Sequence, residues 1–160
     1  MAVILRRLLR IGRLPGALRA ELEPEGILFF DEYVPVTRRF HGAVPGLRSS
    51  GSIASYVGAL VLTEDRVLGT LSSVPKLAGR TIDLRWDDPQ AGAVRAELST
   101  TGLTLDVDVA EIDEHWSGEL SLHYKTDIPR DVIDRLPRTS LAFDAPPEFV
   151  FRAVGVAYHP

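Results

Sequence analysis

YVGALVLTEDRVLGTLSS, residues 56–73, holds two apolar runs separated by Thr63, Glu64 and Asp65. The three polar residues make a tight connection, so the stretch predicts a β-hairpin. Strands joined by so short a link are antiparallel, because parallel neighbours need a long crossover. Gly58 lies inside the first strand, and a glycine there marks a bulge or the close approach of another backbone.

The segments downstream extend the sheet. In TIDLRW (81–86), Ile82, Leu84 and Trp86 alternate with Asp83 and Arg85; in AVRAEL (93–98), Val94, Ala96 and Leu98 oppose Arg95 and Glu97. LTLDVDV (103–109) places four apolar side chains against Thr104, Asp106 and Asp108, and ELSLHYK (119–125) repeats the pattern with Leu120, Leu122 and Tyr124. Such alternation describes an antiparallel sheet with one face buried and one wet. Upstream, ILFFDEYVPVTRRF (27–40) is a strand in which Pro35 implies an edge, a bulge or the strand's end. FHGAVPGLRSSG (40–51), with Gly42, Pro45 and Gly46, reads as a loop.

Helical patterns occur at the two ends. Residues 2–13 form a basic amphipathic pattern, and Pro15 suits the first turn of a second short helix, GALRAELE (16–23). In DIPRDVIDRLP (127–137), Asp127 is placed to cap a helix with the apolar stripe Ile128, Val132, Ile133 and Leu136. The tail 139–160 has two apolar stretches around Pro146 and Pro147, the last expected to add a strand or wrap the body. The expected organisation is a helical arm over 1–22 followed by one β domain over 23–160.

A chain of 160 residues with 45% apolar and 25% charged residues is an ordinary single globular domain. It has no cysteine, which excludes disulfides, thiolate catalysis and iron–sulfur ligation. Arg6, Arg7, Arg10, Arg13 and Arg19 all precede the first acid, Glu21, and the remaining 13 basic and 22 acidic residues leave the rest at −9. An acidic body disfavours nucleic acid, which needs clustered cations against its phosphates. Sixteen of the 18 basic residues are arginine, a bias that points to a GC-rich bacterial genome. No apolar run is long enough to span a membrane as a helix, and arginines interrupt the N-terminus before a signal-peptide core develops. The expectation is a cytoplasmic protein, peripheral to a membrane if the arm rests on anionic lipid.

About seven strands and then a helix is the order of a pleckstrin-homology-like (PH-like) domain. The hairpin GALVLTEDRVLGT resembles the segment of GRAM-like and bacterial PH-like domains where a strand ends in Leu-Thr, turns and resumes after an Arg. The entry LRAELEPEGILFF and the approach HWSG are similar to those of uncharacterised bacterial proteins of this type, over residues 20 to 137. The resemblance implies a bent antiparallel sandwich or partly open barrel with a C-terminal helix plugging one corner. The final helix is short for such a domain, and the chain runs on beyond it from Arg138 to Pro160. A different eight-stranded barrel or sandwich is the alternative.

The resemblance also directs attention to the loop between the first strands, TRRFHGAVPGLRSSG (37–51). There Arg38, Arg39, His41 and Arg48 are candidate ligand-binding residues, since guanidinium groups and loop amides hold phosphate or carboxylate. The region has no lysine and lacks the basic spacing of the lipid-binding members, and a solvated polar loop is the plainer reading. Trp116, beside a turn, is a further candidate contact. Arg6, Arg7, Arg10 and Arg13 are the candidate contacts of the arm with a membrane or partner.

DVDVAEIDEHW (106–116) gathers carboxylates that suit a hard cation, but the glycine-punctuated loop of a calcium site is missing, and alternating Asp is what a wet sheet face looks like. No nucleophile elbow, phosphate-cradling loop or dinucleotide fingerprint occurs. No cofactor or metal is expected. The leading expectation is a non-enzymatic binding or scaffold module with a protein partner or a homo-oligomer. The alternatives are a small-ligand or lipid-binding barrel lined by Tyr56, Trp86, Trp116 and Tyr124, and membrane association through the arm.

Overall fold

A computed structural model of the chain describes residues 16–72 and 79–154. Arg6, Arg7, Arg10, Arg13 and the helical pattern expected over 2–13 lie outside the described residues, as does the end of the tail from 155. The protein is mainly β: eight antiparallel strands form one nearly closed, barrel-shaped sheet in the order β4-β3-β2-β1-β7-β6-β5-β8. The strands are β1 (Ile27–Val44), β2 (Leu47–Thr63), β3 (Arg66–Ser72), β4 (Gly79–Arg85), β5 (Val94–Ser99), β6 (Gly102–Asp108), β7 (Ser117–Lys125) and β8 (Ser140–Phe143). Helix α1 (Gly16–Leu22) precedes them, α2 (Arg130–Arg135) follows β7, and α3 (Pro147–Val154) comes last.

β1 and β2 decide the shape. At 18 and 17 residues they are far longer than the other strands, each about 55–60 Å if straight. β2 from Val57 onward pairs with β3, whereas β1 from Val36 onward pairs with β7. The same hairpin therefore belongs to two halves of the barrel and has to bend between them. One bulge falls between Asp31 and Val34, where Tyr33 has φ 57°, and Pro35 follows just before pairing with β7 begins. The sequence signal at Pro35 is thus a bulge within a continuing strand. The expected loop over 40–51 is instead the far half of this hairpin, and only Pro45 and Gly46 make the turn. Gly42, which suggested a loop, and Gly51 sit inside strands at positive φ and mark strand distortion instead.

The opening stretch is continuous rather than alternating because both of its faces are covered. Leu60 and Leu62 join the main core, while Ala59 and Val61 pack with Leu68 against Leu18 and Leu22 of α1. Gly58 is a close approach: a Cβ there would lie 2.0 Å from the Thr70 carbonyl oxygen and 3.0 Å from the Tyr124 ring. The space admits Tyr124, fully buried on β7, whose hydroxyl donates to the Thr70 carbonyl at 2.8 Å and meets the Thr81 hydroxyl at 2.5 Å. One phenol thus ties β7 to β3 and β4.

The turn Thr63–Arg66 is a hub. The Thr63 hydroxyl accepts from the amides of Asp65 (3.1 Å) and Arg66 (3.0 Å), and the Trp86 indole donates to the Thr63 carbonyl at 2.9 Å. Arg66 clamps α1 and the 3-10 turn that continues it (Glu23–Glu25) to the sheet. Its Nε and Nη2 donate to Glu25 at 3.0 and 2.7 Å, Nη1 to Asp83 at 3.1 Å and Nη2 to Glu21 at 3.1 Å.

The C-terminal region departs from the sequence reading. Pro129, not Asp127, occupies the N-cap of α2, with no side-chain cap bond. The tail supplies β8, paired to β5, and then α3, which buries Phe149, Val150, Phe151, Ala153 and Val154. Pro147 starts this helix, as suits proline in a first turn.

Candidate functional site

The outer face of β2-β1-β7-β6-β5 forms a groove of about 570 Å3. Register builds it: Ile53, Arg39, Ser121, Asp106 and Arg95 occupy one row across five strands, and His41, Glu119 and Asp108 occupy the next. Ser121, short and half-buried, lies between Arg39 and Asp106, so the floor is low where the neighbouring side chains are long. Arg39 and Asp106 sit two strands apart, about 10 Å between their backbones, and form no ion pair with each other. Glu111, from the 3-10 turn after β6, completes the acidic wall.

The far wall depends on a second bulge. Phe40 pairs with Ser52 but His41 with Ser50, which leaves Gly51 unpaired at φ 133°, a conformation that favours glycine. The Ser49 hydroxyl stabilises the bulge by donating to the Phe40 carbonyl and accepting from the Gly51 amide, both at 3.2 Å. Ile53 follows, 62% exposed, the one large apolar side chain so exposed among the described residues.

Charge in the groove is unengaged. Arg39, His41, Arg95, Asp106, Glu111 and Glu119 make no side-chain hydrogen bond or ion pair among the described residues, and Asp108 accepts only from the nearby Ala110 amide at 3.1 Å. Four carboxylates against two guanidinium groups give −2 with His41 neutral. Among the described residues, no cluster of three or more His, Asp or Glu is arranged to hold a metal ion.

The structure separates the residues singled out in the sequence. Arg39 and His41 line the groove, whereas Arg38 points to the barrel interior and is 6% exposed. Arg48 is exposed beside the Pro45–Gly46 turn and does not line the groove. Trp116 is buried, edge-to-face with Phe151 of α3 at 5.2 Å and 78°, which makes it part of the packing that seats that helix. Tyr56, Trp86 and Tyr124 donate to the carbonyls of Ala153, Thr63 and Thr70 respectively. Beyond the groove, the Asp113 carboxyl is held below its usual range, first by the His115 amide that donates to it at 2.9 Å.

Glu119, Arg95 and Ile53 were not singled out in the sequence. Their outward parity on alternating strands was visible, but which strands are neighbours was not. Among the described residues, no helix is long and apolar enough to cross a membrane. No family model, curated protein or solved structure matches the chain.

Proposed function

We propose that the chain is a non-enzymatic binding module of PH-like type that holds an extended, basic segment of a protein partner in the outer groove. The observation that carries this reading is the set of five charged side chains in the groove, Arg39, Arg95, Asp106, Glu111 and Glu119, with no partner among the described residues. Charges that stabilise a fold are usually paired; these are available to a partner and leave the groove net acidic.

Two features favour an extended peptide. Among the described residues, β2 before Val57 pairs only with β1, so the backbone from Leu47 to Tyr56 offers an open edge for strand addition. Ile53, on that strand and in the groove, supplies an apolar contact inside a polar rim. The PH-like reading is supported by the element order, two meanders joined through β1 and β7 in a strongly bent sheet and closed by a late helix. It departs from that pattern in α2, which has only six residues, and in β8, which intervenes before α3.

Fluorescence polarisation with two labelled ten-residue peptides, one alternating Lys and Val and one alternating Glu and Val, tests the proposal. The basic peptide should bind at least tenfold tighter, weaken with salt, and perturb amide resonances of β2, β6 and β7. Asp106→Asn combined with Asp108→Asn should remove most of that preference. Equal binding of the two peptides, or perturbations confined to other strands, refutes the reading.

A further inference from the structure

Arg38 lies on the inner parity of β1, in series with Val34, Val36 and Phe40, all buried. It is only 6% exposed, and its Nε and Nη1 are enclosed with no hydrogen-bond partner among the described residues. Its Nη2 is the accessible nitrogen, since it too has no partner but is not enclosed. The Ser52 hydroxyl is enclosed and unpartnered as well. Arg38 pairs with Ala54, and Ser52 pairs with Phe40, so Arg38 and Ser52 are diagonal neighbours on one inner face.

Buried guanidinium groups are ordinarily paired, because a charge taken from water without a counter-charge is strongly unfavourable. Among the described residues nothing supplies one. The inward residues of β1, β2 and β7 around Arg38 are Val36, Phe40, Ala54, Leu122 and Tyr124, and none is a carboxylate. The nearby Tyr56 hydroxyl is committed to the Ala153 carbonyl of α3 at 3.0 Å. Ser52, Ala54 and Tyr56 are only half-buried, so this inner face of β2 is partly open to solvent.

We propose that Arg38 and Ser52 form an internal binding site for a monocarboxylate with a short apolar tail. The planar guanidinium fork matches the two carboxylate oxygens. A single cation selects a single negative charge, since a dianionic phosphate would leave one charge buried and unmatched. Val36, Phe40 and Leu122 surround the head with apolar surface, which favours an alkyl tail over a polar one. The site lies on the inner face of β2, across the strands from the groove, which Ser52 and Phe40 also help to line.

Thermal unfolding and calorimetric titration of the full chain with sodium octanoate test the site, with octan-1-ol, sodium phosphate and sodium chloride as comparators. Octanoate should raise the unfolding temperature in proportion to the logarithm of its concentration, and octan-1-ol and phosphate should bind at least tenfold more weakly. Arg38→Met should abolish the octanoate shift yet unfold at or above the wild-type temperature without ligand, because it removes an unpaired buried charge at similar volume. Ser52→Ala should weaken octanoate several-fold, and Arg38→Gln should lose binding by tenfold or more. The proposal is overturned if octanoate gives no shift, if phosphate binds as tightly as octanoate, or if either Arg38 variant retains wild-type affinity. It is also overturned if ligand-free Arg38→Met unfolds well below the wild type, which would assign Arg38 a purely structural role.

Discussion

Replacing Arg66 with alanine should release the 3-10 turn Glu23–Glu25, which continues α1, from the sheet. The guanidinium is 12% exposed and meets side chains of Glu25, Asp83 and Glu21 that are 17%, 26% and 49% exposed. The two bonds to Glu25 are charge-assisted and mostly shielded from water, and together contribute about 2 kcal/mol. Asp83 adds about 1 kcal/mol, while the exposed pair with Glu21 adds close to zero. The expected loss is about 3 kcal/mol, which for a chain of this length lowers the unfolding temperature by roughly 6–12 °C. Burial pulls the Arg66 pKa down, but the hydrogen bonds to Glu25, Glu21 and Asp83 outweigh it, so the folded-state value is raised. A raised value means the contribution is complete below the unfolded-state pKa of arginine and is lost only as pH rises through the folded one. The titration of Arg66 itself therefore gives no pH dependence near neutrality. Urea unfolding of the wild type, Arg66→Ala, Glu25→Gln and the double variant measures the coupling, expected to be about 1.5 kcal/mol or more. Hydrogen exchange should show Leu18 and Leu22 losing protection first in Arg66→Ala. A loss below about 1 kcal/mol, the range of an ordinary exposed ion pair, or additive single changes, refutes the clamp.

Gly58→Ala should destabilise by about 3 kcal/mol or more by urea unfolding, because its Cβ would meet the Thr70 carbonyl oxygen at 2.0 Å, a backbone atom that cannot swing aside. Tyr124→Phe should cost about 1–2 kcal/mol, since the Thr70 carbonyl loses its 2.8 Å donor. Burial raises the Tyr124 pKa above its ordinary 10.0, so wild-type stability should fall as pH climbs beyond that value, where the unfolded chain ionises first. The Phe variant, scanned by urea unfolding between neutral and alkaline pH, should show a shallower decline. Trp116→Ala should cost about 3–5 kcal/mol by the same measurement, as expected for an aromatic packed in the core.

The fold was legible where one physical demand set the pattern. Alternation in 81–125 reports a sheet with one wet face, and β4 to β7 fall on it. The opening hairpin was legible too, although its unbroken apolar run also recorded α1 lying across its outer face. The far half of the β1–β2 hairpin was not legible, because Gly42, Pro45 and Gly46 give the same signal in a loop as in a bulged, twisted ribbon. Local propensity cannot separate those cases; only pairing with β7 does. The tail failed for a related reason. β8 has four residues and depends on β5 for its existence, and α3 is stabilised by the core that its apolar residues join.

The candidate sites divide along the same line. A groove assembled from five strands requires their order, and the strands that contribute Arg39 and Arg95 are β1 and β5, with β2, β3 and β4 between them in the chain. The opposite fates of Arg38 and Arg39, by contrast, follow from period two alone. Once ILFFDEYVPVTRRF is a strand, Val34, Val36 and Phe40 fix the inner parity, and Arg38 shares it while Arg39 does not. An arginine in an apolar series is then either an error of register or a buried cation. Pairing of Arg38 with Leu122 and Ala54 eliminates the first alternative. Two adjacent arginines thus face two different solvents, and substitutions at 38 and 39 should affect the internal ligand and the groove partner independently.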